Sequence, residues 1–225
     1  MVPPETSADF LADARKRMVD SQVRPNRVAD PRILAAMRRL PRERFLPPDL
    51  AALAYADEDV PLGNSRVMIE PMVIARLIQL AAPAAGERAL VVAAGTGYGA
   101  AVLAACGIRV TALEDDATLL AVARSALTDL APEVTLVAGP LASGWPSGAP
   151  YDVIMIEGAV HEIPPAVAQQ LNQDGGRLVT VIRGDGRVGQ MVLAEPTPAG
   201  LCAQPWFDCA IAPIPSLRAA AAFVF

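Results

Sequence analysis

The stretch RALVVAAGTGYGAAVLAACG, Arg88 to Gly107, decides the fold. An apolar run leads through Gly95-Thr96-Gly97 into a second apolar segment, the order of a strand, a glycine loop and a helix. Glycines at such a turn let the backbone approach a ligand closely, and the helix start offers unpaired N–H donors. Two positions depart from the usual loop, because Val91 and Ala93 stand where an acid and a glycine are common. Further on, Glu114 ends the next apolar run, at the distance where a carboxylate can accept both hydroxyls of a ribose. Strand, loop, helix, strand and acid together read as a nucleoside site.

Two cofactor classes fit that pattern. Gly95-x-Gly97-x-x-Ala100 matches the dinucleotide fingerprint with its permitted terminal alanine, which implies an NAD(P)-binding oxidoreductase or a flavin enzyme. A site for S-adenosylmethionine shares the strand, loop, helix and ribose acid without a pyrophosphate to hold. The long segment before the glycine strand and the strand-like end of the chain favour the methyl donor.

Working outward, strands are expected over Ala89–Ala93, Val110–Leu113, Val134–Val137, Val153–Ile156 and Leu178–Ile182, with helices after the first two and around Pro165–Leu171. Continuous apolar strands alternating with helices imply a parallel sheet covered on both faces. GQMVLAE, DCAIAPI and AAAAFVF follow without helices between them and suggest antiparallel strands. Before the glycine strand, helical spacing marks Asp9–Val23, Asp30-Pro31 starts a helix over Ile33–Leu40, and Pro71 opens Met72–Ala82. The first helices are expected on the edge of the sheet, and the segment RERFLPPDLAALAYADEDVPLGNSRVMIEPM is expected to run irregularly through its prolines.

Composition narrows the classes. The chain has 225 residues, enough for one sizeable α/β domain. Hydrophobic residues make up 53%, yet no run of about 18 apolar residues suggests a membrane span. The N-terminus lacks a secretory pattern, so a soluble cytoplasmic protein is expected. A net charge of −5 argues against nucleic acid as main partner, and Arg38, Arg39, Arg42 and Arg44 read as a solvated helix end. Cys106, Cys202 and Cys209 lack metal-site spacing and read as buried apolar residues; no metal is expected.

PRILAAMRRLPRERFLP, AYADEDVPLG, EPMVIARLIQL, GTGYGAAVLA, YDVIMIEGAVHEIPPAVAQQL and GGRLVTVI occur in an order and spacing that resembles the protein-L-isoaspartate O-methyltransferase family, from about Met18 to about Ile182. The resemblance implies an α/β class I SAM-dependent methyltransferase (Rossmann-like) fold. Its sheet would be mostly parallel, flanked by helices and closed by antiparallel C-terminal strands. It implies one domain over residues 1–225, with residues 1–70 as a helical and loop accessory segment and 71–225 as the core. S-adenosyl-L-methionine would be the donor, S-adenosyl-L-homocysteine the product, and proteins or peptides carrying isoaspartyl residues the substrates. The cofactor would lie along Ala93, Ala94, Gly95, Thr96, Gly97 and Tyr98, with Glu114 and Asp115 at the ribose and Gly139, Pro140 and Leu141 near the adenine.

The chain departs from the family at named positions. Val91 and Pro140 stand where family acids contact the cofactor, and Ala93 replaces the loop's first glycine. Val67 and Ile69 occupy the two hydroxyl positions beside the isoaspartyl carboxylate, Ile69 in the place of the family serine. If the segment is extended, Ser65 shares the face of Val67 and Ile69 and can supply a hydroxyl, while Arg66 can clamp a carboxylate in a two-point contact. Glu70 and Glu157 are both expected to face the pocket, where they would repel an isoaspartyl group and favour another nucleophile. His161 is not required as a base, since a carboxylate is already ionised at neutral pH. A member with altered substrate, and one that binds without chemistry, remain alternatives.

Overall fold

The computed structural model describes residues 8–184 and 187–218. Helix α1 (Ala8–Met18) continues into a π-helical turn, Val19–Val23. Asp30 caps α2 (Pro31–Arg39), its carboxylate accepting the Arg32 N–H at 2.8 Å, and Pro31 takes the first turn where its missing donor costs nothing. The proline-rich stretch that follows is more regular than its composition suggests. It holds 3₁₀ turns at Arg42–Phe45 and Pro48–Leu53, then a hairpin of β1 (Val60–Gly63) and β2 (Arg66–Met68). Pro71 opens α3 (Pro71–Ala81), as the sequence predicts.

The central sheet has seven strands. In chain order they are β3 (Arg88–Val92), β4 (Arg109–Glu114), β5 (Thr135–Ala138), β6 (Val153–Val160), β7 (Arg177–Ile182), β8 (Gly189–Thr197) and β9 (Gly200–Cys209). Their order across the sheet is β5-β4-β3-β6-β7-β8-β9, with β3 to β7 parallel and β8 and β9 an antiparallel hairpin at the edge. Three helices connect the parallel strands: α4 (Tyr98–Ala105), α5 (Ala117–Leu130) and the single turn α6 (Pro165–Ala168). That last helix is shorter than expected, because Leu171 already bridges to Tyr151.

Strand alternation divides the core. Ala89 and Val91 face a thick layer of α3, α4 and the N-terminal helices, while Leu90 and Val92 face a thin layer with Leu141, Tyr151, Val167 and Leu171. The first helices lie on this thick layer, α2 against α4, and not on the sheet edge, because α4 is apolar all round and needs cover on both sides. The chain winds outward from β3 to β5 on one side and from β6 on the other. The crevice at the C-terminal ends of β3 and β6 is therefore the topological switch point, where open α/β sheets bind ligands.

Three further expectations are corrected, and a fourth cannot be compared. DCAIAPI gives only the end of β9, and residues 210–217 turn back over the sheet instead, with Pro213 bridging to Ala159. AAAAFVF lies outside the described residues. Cys202 is exposed on the edge hairpin, whereas Cys106 and Cys209 are buried. Arg42 is 1% exposed and lies inside the protein, while Arg38 and Arg44 are surface partners of Asp20 and Asp129.

Candidate functional site

The site is built where β3 ends. Ala93 leaves the strand with φ +59°, a left-handed conformation that disfavours a side chain, and Gly95 and Gly97 follow at +57° and +92°. A Cβ at Gly95 would meet nothing within 4 Å, so the loop backbone is open there. Gly97 leads into α4, whose first turn points its N–H groups into the crevice.

Glu114 closes β4 beside this loop and is fully buried. Its Oε2 accepts the Gly95 N–H at 2.7 Å, and its Oε1 accepts those of Asp115 and Asp116 at 3.0 Å each. Arg66 completes the set from β2, with Nη1 to Oε1 and Nη2 to Oε2, both at 2.8 Å, and a further bond from Nη2 to the Ala93 carbonyl at 3.1 Å. Burial alone would raise the Glu114 pKa, but Arg66 and the backbone donors outweigh it and hold the carboxyl below its usual range. The two-point clamp foreseen for Arg66 exists, and its carboxylate belongs to the chain itself.

The hairpin explains how Arg66 arrives there. Asn64 and Ser65 both adopt positive φ, the pair required by a tight turn between β1 and β2. The Asn64 amide donates to Asp116 Oδ2 at 2.9 Å, and Asp116 also caps α5, so the tip is fixed to a helix start. Ser65 is therefore an exposed turn residue rather than a strand residue, and the alternation that set it beside Val67 and Ile69 does not hold. Ile69 is buried in the core and Val67 is half-buried.

Glu157 enters from the other side of the switch point. Alternation along β6 puts Glu157 on the face of Val153, Met155 and Ala159, toward the thick layer, beside a shift of the β6–β7 register between Met155 and Ala159. Part of its side chain touches solvent, but Oε2 is sealed and has no hydrogen-bond partner. A Cβ added at Gly99, in the first turn of α4, would collide with it. Burial pushes this carboxyl up to about 8, against the opposing pull of Arg42 and Arg66. Glu70 instead stands at the start of α3, its N–H donating to Asp59 Oδ1 at 2.9 Å, away from the residues that line the crevice with Glu157; burial and the nearby acids Asp59 and Asp57 raise its pKa.

The remaining predicted residues divide between crevice and core. Thr96 is buried in the loop, Asp115 is exposed above it, and Gly139 and Pro140 lie at the end of β5. Ala94 packs in the thick layer and Leu141 in the thin one. Tyr98 turns away from the crevice, meeting Phe45 edge-on at 5.4 Å and the Arg42 guanidinium at 4.7 Å. His161 is exposed.

Two elements were missed. Arg42 donates to the carbonyls of Ala54 at 2.7 Å and Ile69 at 2.6 Å, and so ties the accessory layer to the end of β2. Its apolar neighbours Leu40, Phe45 and Leu46 were the available signal. Residues 212–214 line the crevice together with Ser65, Arg66, Val67, Glu157 and Gly158, around a cavity of about 10 Å³. That volume holds one water molecule. As these residues stand, a nucleoside does not fit: Glu114 already accepts five hydrogen bonds, and its lone pairs are spent.

Residues 13–196 match the family model described as Protein-L-isoaspartate(D-aspartate) O-methyltransferase. Protein-L-isoaspartate O-methyltransferase of Methylorubrum populi is 42% identical over 80% of this chain and 84% of its own length. The protein of that name from Methanoregula boonei is 39% identical over 77% of this chain and 80% of its own. A solved protein-L-isoaspartate O-methyltransferase superposes with TM-score 0.77 at 24% identity, covering 92% of this chain and 67% of the other. A putative one from Plasmodium falciparum, in complex with S-adenosyl-L-homocysteine, gives 0.74 at 17% identity, covering 90% and 98%. At these identities the likeness shows the fold, a class I methyltransferase sheet with antiparallel C-terminal strands.

Proposed function

Because the chain belongs to the protein-L-isoaspartate (D-aspartate) O-methyltransferase family, we propose that it is an S-adenosylmethionine-dependent enzyme that methylates isoaspartyl carboxylates in damaged proteins or peptides. The observation that supports this reading is the meeting of the glycine loop and the acid that ends β4, with the Gly95 N–H bonded to Glu114 at 2.7 Å at the switch point. The donor supplies an activated methyl group. In this reading the loop from Ala93 to Gly97, Glu114 with Asp115, and Gly139 with Pro140 border the donor, while Ser65, Arg66 and Glu157 border the acceptor. The acceptor carboxylate is ionised at neutral pH and needs no base.

We also read residues 1–225 as a single domain acting in the cytoplasm, with 1–70 as its accessory part. Among the described residues no helix is long and apolar enough to cross a membrane.

The test is transfer of labelled methyl from S-adenosylmethionine to a peptide with one isoaspartyl residue, with the aspartyl form as control. Base-labile label on the isoaspartyl peptide alone is the expected result. Absence of label from both, with S-adenosylhomocysteine still bound, would leave a binding role on the same fold. That second reading draws on the apolar Val67 and Ile69 at the positions where the family resemblance implies hydroxyls.

A further inference from the structure

The crevice is closed by the chain's own residues. Arg66 takes both oxygens of the carboxylate that a ribose would need, and among the described residues no other acid lies within its fork except the more distant Asp115, at 3.7 Å. Ala212, Pro213 and Ile214 cross above it, held by the Ala159 N–H to the Ala212 carbonyl at 3.2 Å and the Ile214 N–H to the Ala159 carbonyl at 2.9 Å. Beyond them Ile214 and Leu217 join the same buried cluster as Ala93, Leu113 and Leu141, residues flanking the expected nucleoside position.

We propose that Arg66 is an internal competitor of the cofactor: its guanidinium occupies Glu114 in the closed form, and the nucleoside binds only when Arg66 leaves that carboxylate. The inference rests on the methyltransferase reading, since it assumes that a nucleoside is the ligand of this crevice. Arg66 is suited to the task. Its planar fork matches a carboxylate in two bonds, while its hairpin is short, edged by a tight turn and separate from the main sheet. An open form populated at one part in ten to one in a hundred weakens apparent affinity by about tenfold to a hundredfold, without any change in the contacts of the bound state.

The experiment is calorimetric titration of the full chain with S-adenosylhomocysteine, for the wild type, Arg66→Gln and Arg66→Lys, each first checked for a cooperative melt. Arg66→Gln is expected to bind at least tenfold more tightly than the wild type, with Arg66→Lys between them, because an ammonium reaches the carboxylate without the two-point fork. Equal or weaker binding by both variants, with the wild type binding well, overturns the competitor role and leaves the methyltransferase reading intact. If no form binds up to millimolar ligand, the cofactor assignment falls and the competitor role with it. Should Arg66→Gln fail to fold, the comparison of Arg66→Lys with the wild type decides in the same way.

Discussion

Arg66 and Glu114 face each other in two parallel hydrogen bonds of 2.8 Å, 48 residues apart in sequence, with 8% and 0% of their side chains exposed. A buried pair of this kind gains little over an apolar pair, but removing one partner strands the other charge. Glu114→Ala is expected to destabilise the protein by about 3–5 kcal/mol. The double variant Arg66→Ala/Glu114→Ala should cost clearly less than the sum of the two single changes. Urea melts of the four forms measure both, and additive losses would show that the pair does not act as a unit. The pair's contribution is present above the ordinary carboxylate range and fades as pH falls through the lowered Glu114 pKa.

Glu157 predicts the opposite pH dependence. Its carboxyl titrates near 8 in the folded protein, against an ordinary value of 4.5. Below 4.5 both folded and unfolded chains hold the proton, so there is no penalty. Between 4.5 and about 8 the unfolded chain ionises first, and stability falls as pH rises. Glu157→Gln removes the ionisation and should raise the melting temperature at pH 8.5 by about 5 °C or more, corresponding to a few kcal/mol. At pH 4.5 it should change the melting temperature little. A gain of the same size at both pH values would show that shape, not charge, sets the effect.

The parallel strands were legible because their apolar runs are bounded by glycines and prolines, and the switch-point acid because it ends such a run. What the sequence concealed came from pairing across distance. Nothing local to Arg66 says that its partner is Glu114, and although alternation gives the face of Glu157, nothing local to it says that it meets Gly99. Arg42 was hidden among three solvated arginines, although only it contacts Tyr98. The C-terminal return over the crevice was obscured because Ala210 to Ile214 has the composition of a strand but pairs through a single bridge.

Ala93 carries backbone strain that a glycine would relieve. Its φ of +59° costs an L-residue about 1–2 kcal/mol, while glycine loses about 0.5–1 kcal/mol of chain entropy on ordering. Ala93→Gly is therefore expected to stabilise by up to about 1 kcal/mol, and Gly95→Ala, in the same conformation with open space around it, to destabilise by a similar amount. Thermal melts of the two variants should move in opposite directions. Parallel shifts would mean that packing around Ala93, not its backbone angle, decides the outcome.

Arg42 joins the accessory layer to the crevice, because one guanidinium serves the Ala54 and Ile69 carbonyls while lying over Tyr98. Arg42→Ala leaves both carbonyls short of a donor in a water-excluded place and should cost about 3–5 kcal/mol. Lysine is not a replacement, since its single ammonium cannot span two carbonyls set by a planar fork, and Arg42→Lys should recover less than half of that loss. Ile69 follows β2, so the damage should spread toward Arg66. Hydrogen exchange in Val60–Ile69 is expected to rise in both variants while β3 and β4 stay protected. If exchange rises evenly over the whole sheet instead, Arg42 supports the fold at large and does not position the hairpin.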